Sequence, residues 1–195
     1  MKKYEGHIKS VLEKEGILLD DTFYHCCGIF TENLLSYSKT HNITRLRTPL
    51  AIEENIIDSI YPVKFLSEIK SILDIGTGAG FPGLILSFAM RKSKIFLIEP
   101  ISKRTAFLHL IKSKCDLQNV TIINKRVEEI EKFRVDLITS RAVTDTKVLL
   151  ELGKPFSKKE TFFLFYKGEE VTKEIPDDVE YKIFKRDKRR YLLMR

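Results

Sequence analysis

Long apolar runs are absent. No stretch of about 18 apolar residues occurs in the chain, so no transmembrane helix is expected. Residues Met1, Lys2, Lys3, Tyr4 and Glu5 lead into polar, amphipathic sequence, not the apolar segment of a secretory leader, so none is expected. Cysteine is scarce: Cys26, Cys27 and Cys115 are odd in number and lack C-x-x-C spacing. That argues against a zinc site and against a disulfide framework, so no metal is expected. The adjacent pair reads as small core-facing hydrophobes, and the reducing cytoplasm is the expected compartment. Internal repeats and low-complexity tracts are also missing. Acids are short: 27 Asp and Glu face 34 Lys and Arg, for a net charge of +7. Such a surface attracts polyanions without naming one.

The 195 residues, 43% apolar and 31% charged, suit one soluble globular domain with a full core. The first 65 or so read as helical. Ile8, Val11 and Leu12 have helical spacing, and Gly16 is a C-cap candidate. Asp20 or Asp21 offers an N-cap to a helix with Phe23, Cys26, Cys27, Phe30, Leu34 and Tyr37 on one face. Thr48 and Pro49 open a third, with Leu50, Ile52, Ile56, Ile57 and Ile60 as its apolar residues. The polar stretch 36–48 between them carries His41, Arg45 and Arg47. From residue 71 strands and helices alternate. Strands are expected at 71–75, 94–99, 120–124, 135–139 and 161–166, and two more at 179–184 and 191–194 close enough to form a hairpin. Helices are expected at 82–90, from Ser102 with Ala106, Phe107, Leu110 and Ile111 buried, and at 145–152. This alternation predicts an α/β fold: a mostly parallel sheet, helices on both faces and an antiparallel C-terminal edge. The expected parts are a helical segment, 1–65, packed on a core, 66–195.

The chain is organised around I-L-D-I-G-T-G-A-G-F-P-G at 72–83. A buried strand runs into a turn almost without side chains, where a ligand can lie against backbone at the start of a helix. The dinucleotide pattern G-x-G-x-x-G fails, because its third glycine would fall on Phe81. The glycines are Gly76, Gly78 and Gly80, with Asp74 two residues before the first. An acid there suits a cationic ligand and repels a pyrophosphate. S-adenosylmethionine, with a sulfonium, an ammonium and no phosphate, is favoured over NAD. Glu99 ends the second strand, where an acid can accept both ribose hydroxyls. After the third strand, Val127 would wall the adenine, and Glu128 or backbone amides would read its edge.

The loop after the fourth strand faces the methyl group in such folds. It lacks the Asn/Asp-Pro-Pro-Tyr/Phe signature of amine methylases and the Pro-Cys nucleophile of pyrimidine methylases; Ser140, Arg141 and Ala142 stand there instead. A ring nitrogen with a free lone pair, such as guanine N7, fits best, since its attack needs alignment and no base. No catalytic residue is therefore assigned, and Arg141 is read as holding a phosphate or the cofactor carboxylate. Basic residues cluster at Arg45 and Arg47, at Lys103 and Arg104, and over 182–195. Lys103 and Arg104 lie nearest the expected pocket.

D-I-G-T-G-A-G-F-P-G-L at 74–84, with I-E-P-I-S-K-R at 98–104, R-V-E-E at 126–129 and S-R-A at 140–142, resembles the bacterial small-subunit rRNA methyltransferase G family, also called glucose-inhibited division protein B. N-I-T at 42–44, I-I-D-S-I at 56–60 and Lys167 with Gly168 extend the resemblance over nearly the whole chain. It departs at Glu99 and Pro100, where the family often has Asp and Ser, at Asn55, often His, and at Ala79, commonly Pro. The resemblance implies a Rossmann-like S-adenosylmethionine-dependent methyltransferase fold and N7 methylation of one guanine in 16S rRNA of the small ribosomal subunit, in the cytoplasm. It maps cofactor positions to Gly76, Phe81, Val127, Glu128 and Arg141; the architecture adds Asp74, Gly78, Gly80 and Glu99. Arg45, Arg47, Lys103 and Arg104 are the RNA-binding candidates, and a monomer is expected. An RNA-binding protein of this fold without turnover, or a NAD-linked oxidoreductase, are the alternatives.

Overall fold

Each of the first three helices carries its own start or stop signal. α1 (Glu5–Lys14) ends before Gly16, whose φ of 74° lets Ile17 N–H bond back to the Leu12 carbonyl at 2.8 Å. α2 (Asp21–His41) is capped by Asp20, which accepts from Phe23 N–H at 2.8 Å, and ends on Asn42, left-handed at φ 45°. α3 (Pro49–Ile60) is capped by the Thr48 hydroxyl, with Pro49 in its first turn. A computed structural model of the chain describes residues 5–141, 145–175 and 179–195.

The sheet follows: β1 (Ser71–Ile75), β2 (Lys94–Ile98), β3 (Val120–Ile123), β4 (Leu137–Arg141), β5 (Phe162–Lys167), β6 (Tyr181–Arg186) and β7 (Arg189–Met194). Between them lie α4 (Gly83–Ala89), α5 (Ser102–Lys114) and α6 (Thr146–Gly153). The spatial order is β3-β2-β1-β4-β5-β7-β6. The first five strands are parallel, and β7 is antiparallel to both neighbours, so the expected hairpin forms the edge.

Alternation along the strands divides the core. Ile72, Ile95, Leu97, Leu137 and Leu164 face one side and pack with the apolar stripes of α1 to α5. Leu73, Ile75, Ile98 and Ile138 face the other, with Val127 and Phe156. Helices were expected on both faces, but among the described residues the second carries only α6 and short 3-10 turns. The chain from β3 to β4 makes one such turn, at Val127–Glu129, and no α-helix. Cys26, Cys27 and Cys115 are buried and unbridged, and Cys26 accepts from the Arg91 guanidinium at 3.3 Å.

Four local expectations are corrected. Pro82 is the residue before α4, not inside it. Ser102 is the first residue of α5; its hydroxyl bonds Asn124 at 3.0 Å while Ile101 takes the cap position. In α5 Leu108 is buried and Ala106 exposed. β4 starts at Leu137 because Asp136 is spent on capping β1: one of its oxygens accepts from Lys70 N–H, Ser71 N–H and the Ser71 hydroxyl.

α3 is tied to the far half of the sheet. Tyr166 donates its hydroxyl to the Ser59 carbonyl at 2.7 Å, and Asp58 accepts from Arg186 at 3.0 Å and Arg189 at 3.1 Å.

Candidate functional site

β1 ends at Ile75, and residues 76–82 turn the chain into α4. Gly76, Gly78 and Gly80 have φ of 69°, 61° and 107°, a region L side chains avoid. The turn is stitched to β2: Gly76 and Thr77 N–H both bond the Ile98 carbonyl, at 3.0 and 3.1 Å. Beneath it lies Asp74, fully buried, accepting from Gly83 N–H at 2.8 Å. A Cβ on Gly83 would stand 2.6 Å from Asp74, so glycine is required there for the carboxyl to reach the backbone. Burial pushes Asp74 up to about 6, against the pull of the Thr77 hydroxyl, the Gly83 amide and Arg141.

Glu99 sits one residue past β2 and joins two loops. One oxygen accepts from Gly78 N–H at 2.9 Å, the other from Ile101 N–H at 2.9 Å, and Arg104 lies 3.4 Å away. Asn124, beyond β3, donates to the carbonyls of Glu99 and Pro100 at 3.0 and 2.9 Å and fixes that loop in turn. At the end of β4, Ser140 donates to the Ile75 carbonyl at 2.9 Å. Arg141 lays its guanidinium 4.6 Å from the centre of the Phe81 ring. Among the described residues its buried Nη1 has no hydrogen-bond partner. Burial, with Arg189 nearby, lowers Arg141 to about 10, so it stays charged at neutral pH.

These groups line a cleft of about 730 Å³ at the carboxyl ends of β1, β2 and β4. Gly76, Gly78, Phe81, Glu99 and Arg141 are brought together there, as expected, and so are Arg45 and Arg104. Arg104 was expected to meet RNA, yet it leans on Glu99 instead. Asp74 does not line the cleft; it sits below the turn and shapes it. Gly80 is likewise beneath, against Leu84 and Leu108. Val127 and Glu128 are outside the lining: the 3-10 turn points Val127 into the core with Ile75 and Ile98 and leaves Glu128 exposed. Lys103 is exposed on α5, and Arg47 bonds the Thr44 carbonyl and Asn42 side chain, bracing its own loop. Ala142 lies outside the described residues. The sequence reading missed Thr77, Pro100 and Ile101, and it missed that Asn42, Ile43 and Thr44 form the opposite wall. Only the N-I-T match at 42–44 hinted at them. Among the described residues no group of His, Cys, Asp or Glu is arranged to hold a metal.

This donor set fits S-adenosylmethionine: a carboxylate for hydroxyls, bare backbone beside it, and an unpartnered guanidinium where a carboxylate can pair. The strand order, the glycine turn and the acid after β2 define an S-adenosylmethionine-dependent methyltransferase fold. Solved structures agree on the fold. A putative S-adenosyl-L-methionine-dependent methyltransferase from Methanococcus maripaludis superposes with a TM-score of 0.57 at 15% identity, over 84% of this chain and 90% of that one. TYW2 of M. jannaschii, in complex with AdoMet, gives 0.55 at 18% identity, over 72% and 73%. The family model for rRNA small subunit methyltransferase G matches residues 26–191, and the chain belongs to that family. The Ribosomal RNA small subunit methyltransferase G of Wolinella succinogenes is 45% identical over 185 residues, 95% of this chain and 96% of that protein. Its counterpart in Aliarcobacter butzleri is 41% identical over 190 residues, covering 96% and 98%.

Proposed function

We propose that this protein transfers the methyl group of S-adenosylmethionine to N7 of a guanine in 16S rRNA of the small ribosomal subunit. The observation that carries the reading is the cleft itself. It has the cofactor-type glycine turn and acid, and at the end of β4, where the acceptor must come, a cation on an aromatic ring, with no cysteine, histidine or lysine among the described residues that line it. Among natural acceptors a guanine N7 needs the least from such a site, because its lone pair is exposed and carries no proton. S-adenosylmethionine supplies an electrophilic methyl on a cationic sulfur. Glu99 accepts from ribose hydroxyls, Gly76 and Gly78 let the ligand approach backbone, and Arg141 pairs with the carboxylate of the amino-acid end or a phosphate of the acceptor. As the N7–C bond forms and the C–S bond breaks, positive charge passes to the purine, and alignment is the enzyme's main contribution.

The partner is then the small subunit or its RNA, and the protein works as a monomer in the cytoplasm. No helix among the described residues is long and apolar enough to cross a membrane. Transfer of labelled methyl to undermodified 16S RNA or small subunits, followed by nucleoside analysis, tests the reading. N7-methylguanine is the expected product. Another labelled nucleoside, or none, overturns it.

A further inference from the structure

The wall of the cleft opposite the glycine turn begins in the last turn of α2. Tyr37 and His41, four residues apart, stack there with ring centres 4.1 Å apart and planes 18° from parallel. Tyr37 is the inner ring. It packs 5.4 Å from Phe107, and its hydroxyl donates to the Lys103 carbonyl at 3.3 Å, so it is anchored to α5. His41 is the outer ring and is exposed. Its orientation is fixed on one edge: Nδ1 lies 2.6 Å from the Thr40 hydroxyl and 3.3 Å from the Tyr37 carbonyl. One face is covered by Tyr37, and among the described residues no other ring contacts the second. The next residue, Asn42, turns the chain left-handed, and residues 42–45 become cleft lining. The ring is therefore one residue along the chain from the cleft lining, although it is not part of that lining itself.

Its charge surroundings are one-sided. Residues 36–48 contain Lys39, Arg45 and Arg47 and no acid. Arg45 is exposed and has no ion-pair partner among the described residues. Lys103, whose carbonyl holds Tyr37, adds a further exposed cation. An aromatic pair at this spacing steadies a helix by only a few tenths of a kcal/mol, which needs neither exposure nor a basic setting. A rigid exposed ring among cations beside a catalytic cleft is what single-stranded nucleic acid binds: bases stack on the ring, and phosphates meet the charges.

We propose that His41, backed by Tyr37, is the stacking platform for a nucleobase next to the acceptor guanine, with Arg45 on the adjoining phosphate. The inference rests on the rRNA reading above and sharpens it. The acceptor is presented from an unpaired stretch, since a flanking base can reach the ring only when splayed out of a helix.

The test compares wild type with His41→Ala, His41→Phe and Arg45→Ala. It measures methyl transfer to undermodified small subunits, binding of a 16S RNA fragment spanning the labelled guanine, and calorimetric binding of S-adenosylhomocysteine. His41→Ala raises KM for the substrate and weakens fragment binding by about tenfold, as loss of one base stack does. It leaves kcat, cofactor affinity and the melting temperature as in wild type. His41→Phe restores binding, because a ring returns without the imidazole. Arg45→Ala weakens binding and flattens its salt dependence by about one unit of slope. Wild-type KM in His41→Ala, or failure of His41→Phe to recover it, overturns the platform. So does a loss confined to whole subunits with the naked fragment unaffected, which would place a protein on this rim. A wild-type enzyme that does not make N7-methylguanine refutes the parent reading instead, and is seen separately in the nucleoside analysis.

Discussion

Asp74 looks from sequence like a ligand for a cation, but it works from underneath. Its buried carboxyl holds the Gly83 amide and so sets where the glycine turn stops and α4 starts. Its folded value, about 6, stands above the ordinary 3.8. Between those values the folded state holds more protons than the unfolded one, so this group's contribution falls as pH rises through that window. At about 1.4 kcal/mol per unit, the loss is about 3 kcal/mol. Asp74→Asn keeps an acceptor for Gly83 and removes the slope: urea midpoints at about pH 4.5 and about pH 7 should differ less in the variant than in wild type. An unchanged difference would show that another group titrates. Glu99 acts on the ligand's side of the turn and on the protein's. Glu99→Ala strips the acceptor from two backbone amides as well as from the ribose contact proposed above, and should weaken S-adenosylhomocysteine binding by at least about tenfold in calorimetry.

At the scale of elements, much was legible where one local signal sufficed. β1 was readable to the residue because a buried apolar run meets a glycine directly. The starts of α2 and α3 were readable because Asp20 and Thr48 are caps that act within three residues. What failed depended on distant partners. Ser102 has the chemistry of a cap, but Asn124 takes its hydroxyl. Val135 and Asp136 continue the apolar–polar alternation of a strand, but the Asp136 side chain closes the foot of β1. The wall at residues 42–45 could not be seen from spacing at all, because it meets the glycine turn through the tertiary packing of α2, whose Phe30 ring lies 5.1 Å from Phe81 and 5.7 Å from Phe107 of α5. The C-terminal hairpin read only as a cluster of basic residues, and two of them, Arg186 and Arg189, are spent inside the fold on Asp58. Asp58→Ala leaves both guanidinium groups short of a partner in a largely buried place, and should cost about 2 kcal/mol in denaturant unfolding, less than a fully buried pair would. A loss below a few tenths would mean the hairpin is held by its apolar residues alone.

For the whole molecule, the helical N-terminal residues share one apolar cluster with α4, α5 and one face of the sheet. We therefore treat 1–65 and 66–195 as one cooperative unit. A chain cut to 66–195 would expose that face, and should lack a cooperative thermal transition; a sharp melt would refute this. The asymmetry of the sheet points the same way, since five of the six helices lie on the face that the cut would open. α2 also acts as a lever. Its 21 residues run from the α1 contact to the cleft mouth. At 1.5 Å per residue it is about 30 Å long, so a tilt of about 5° at its buried start moves its far end by roughly 3 Å. A change in the fit of Ile8 and Leu12, buried in the cluster that α2 shares, would thereby shift residues 42–45, which follow its far end and line the cleft.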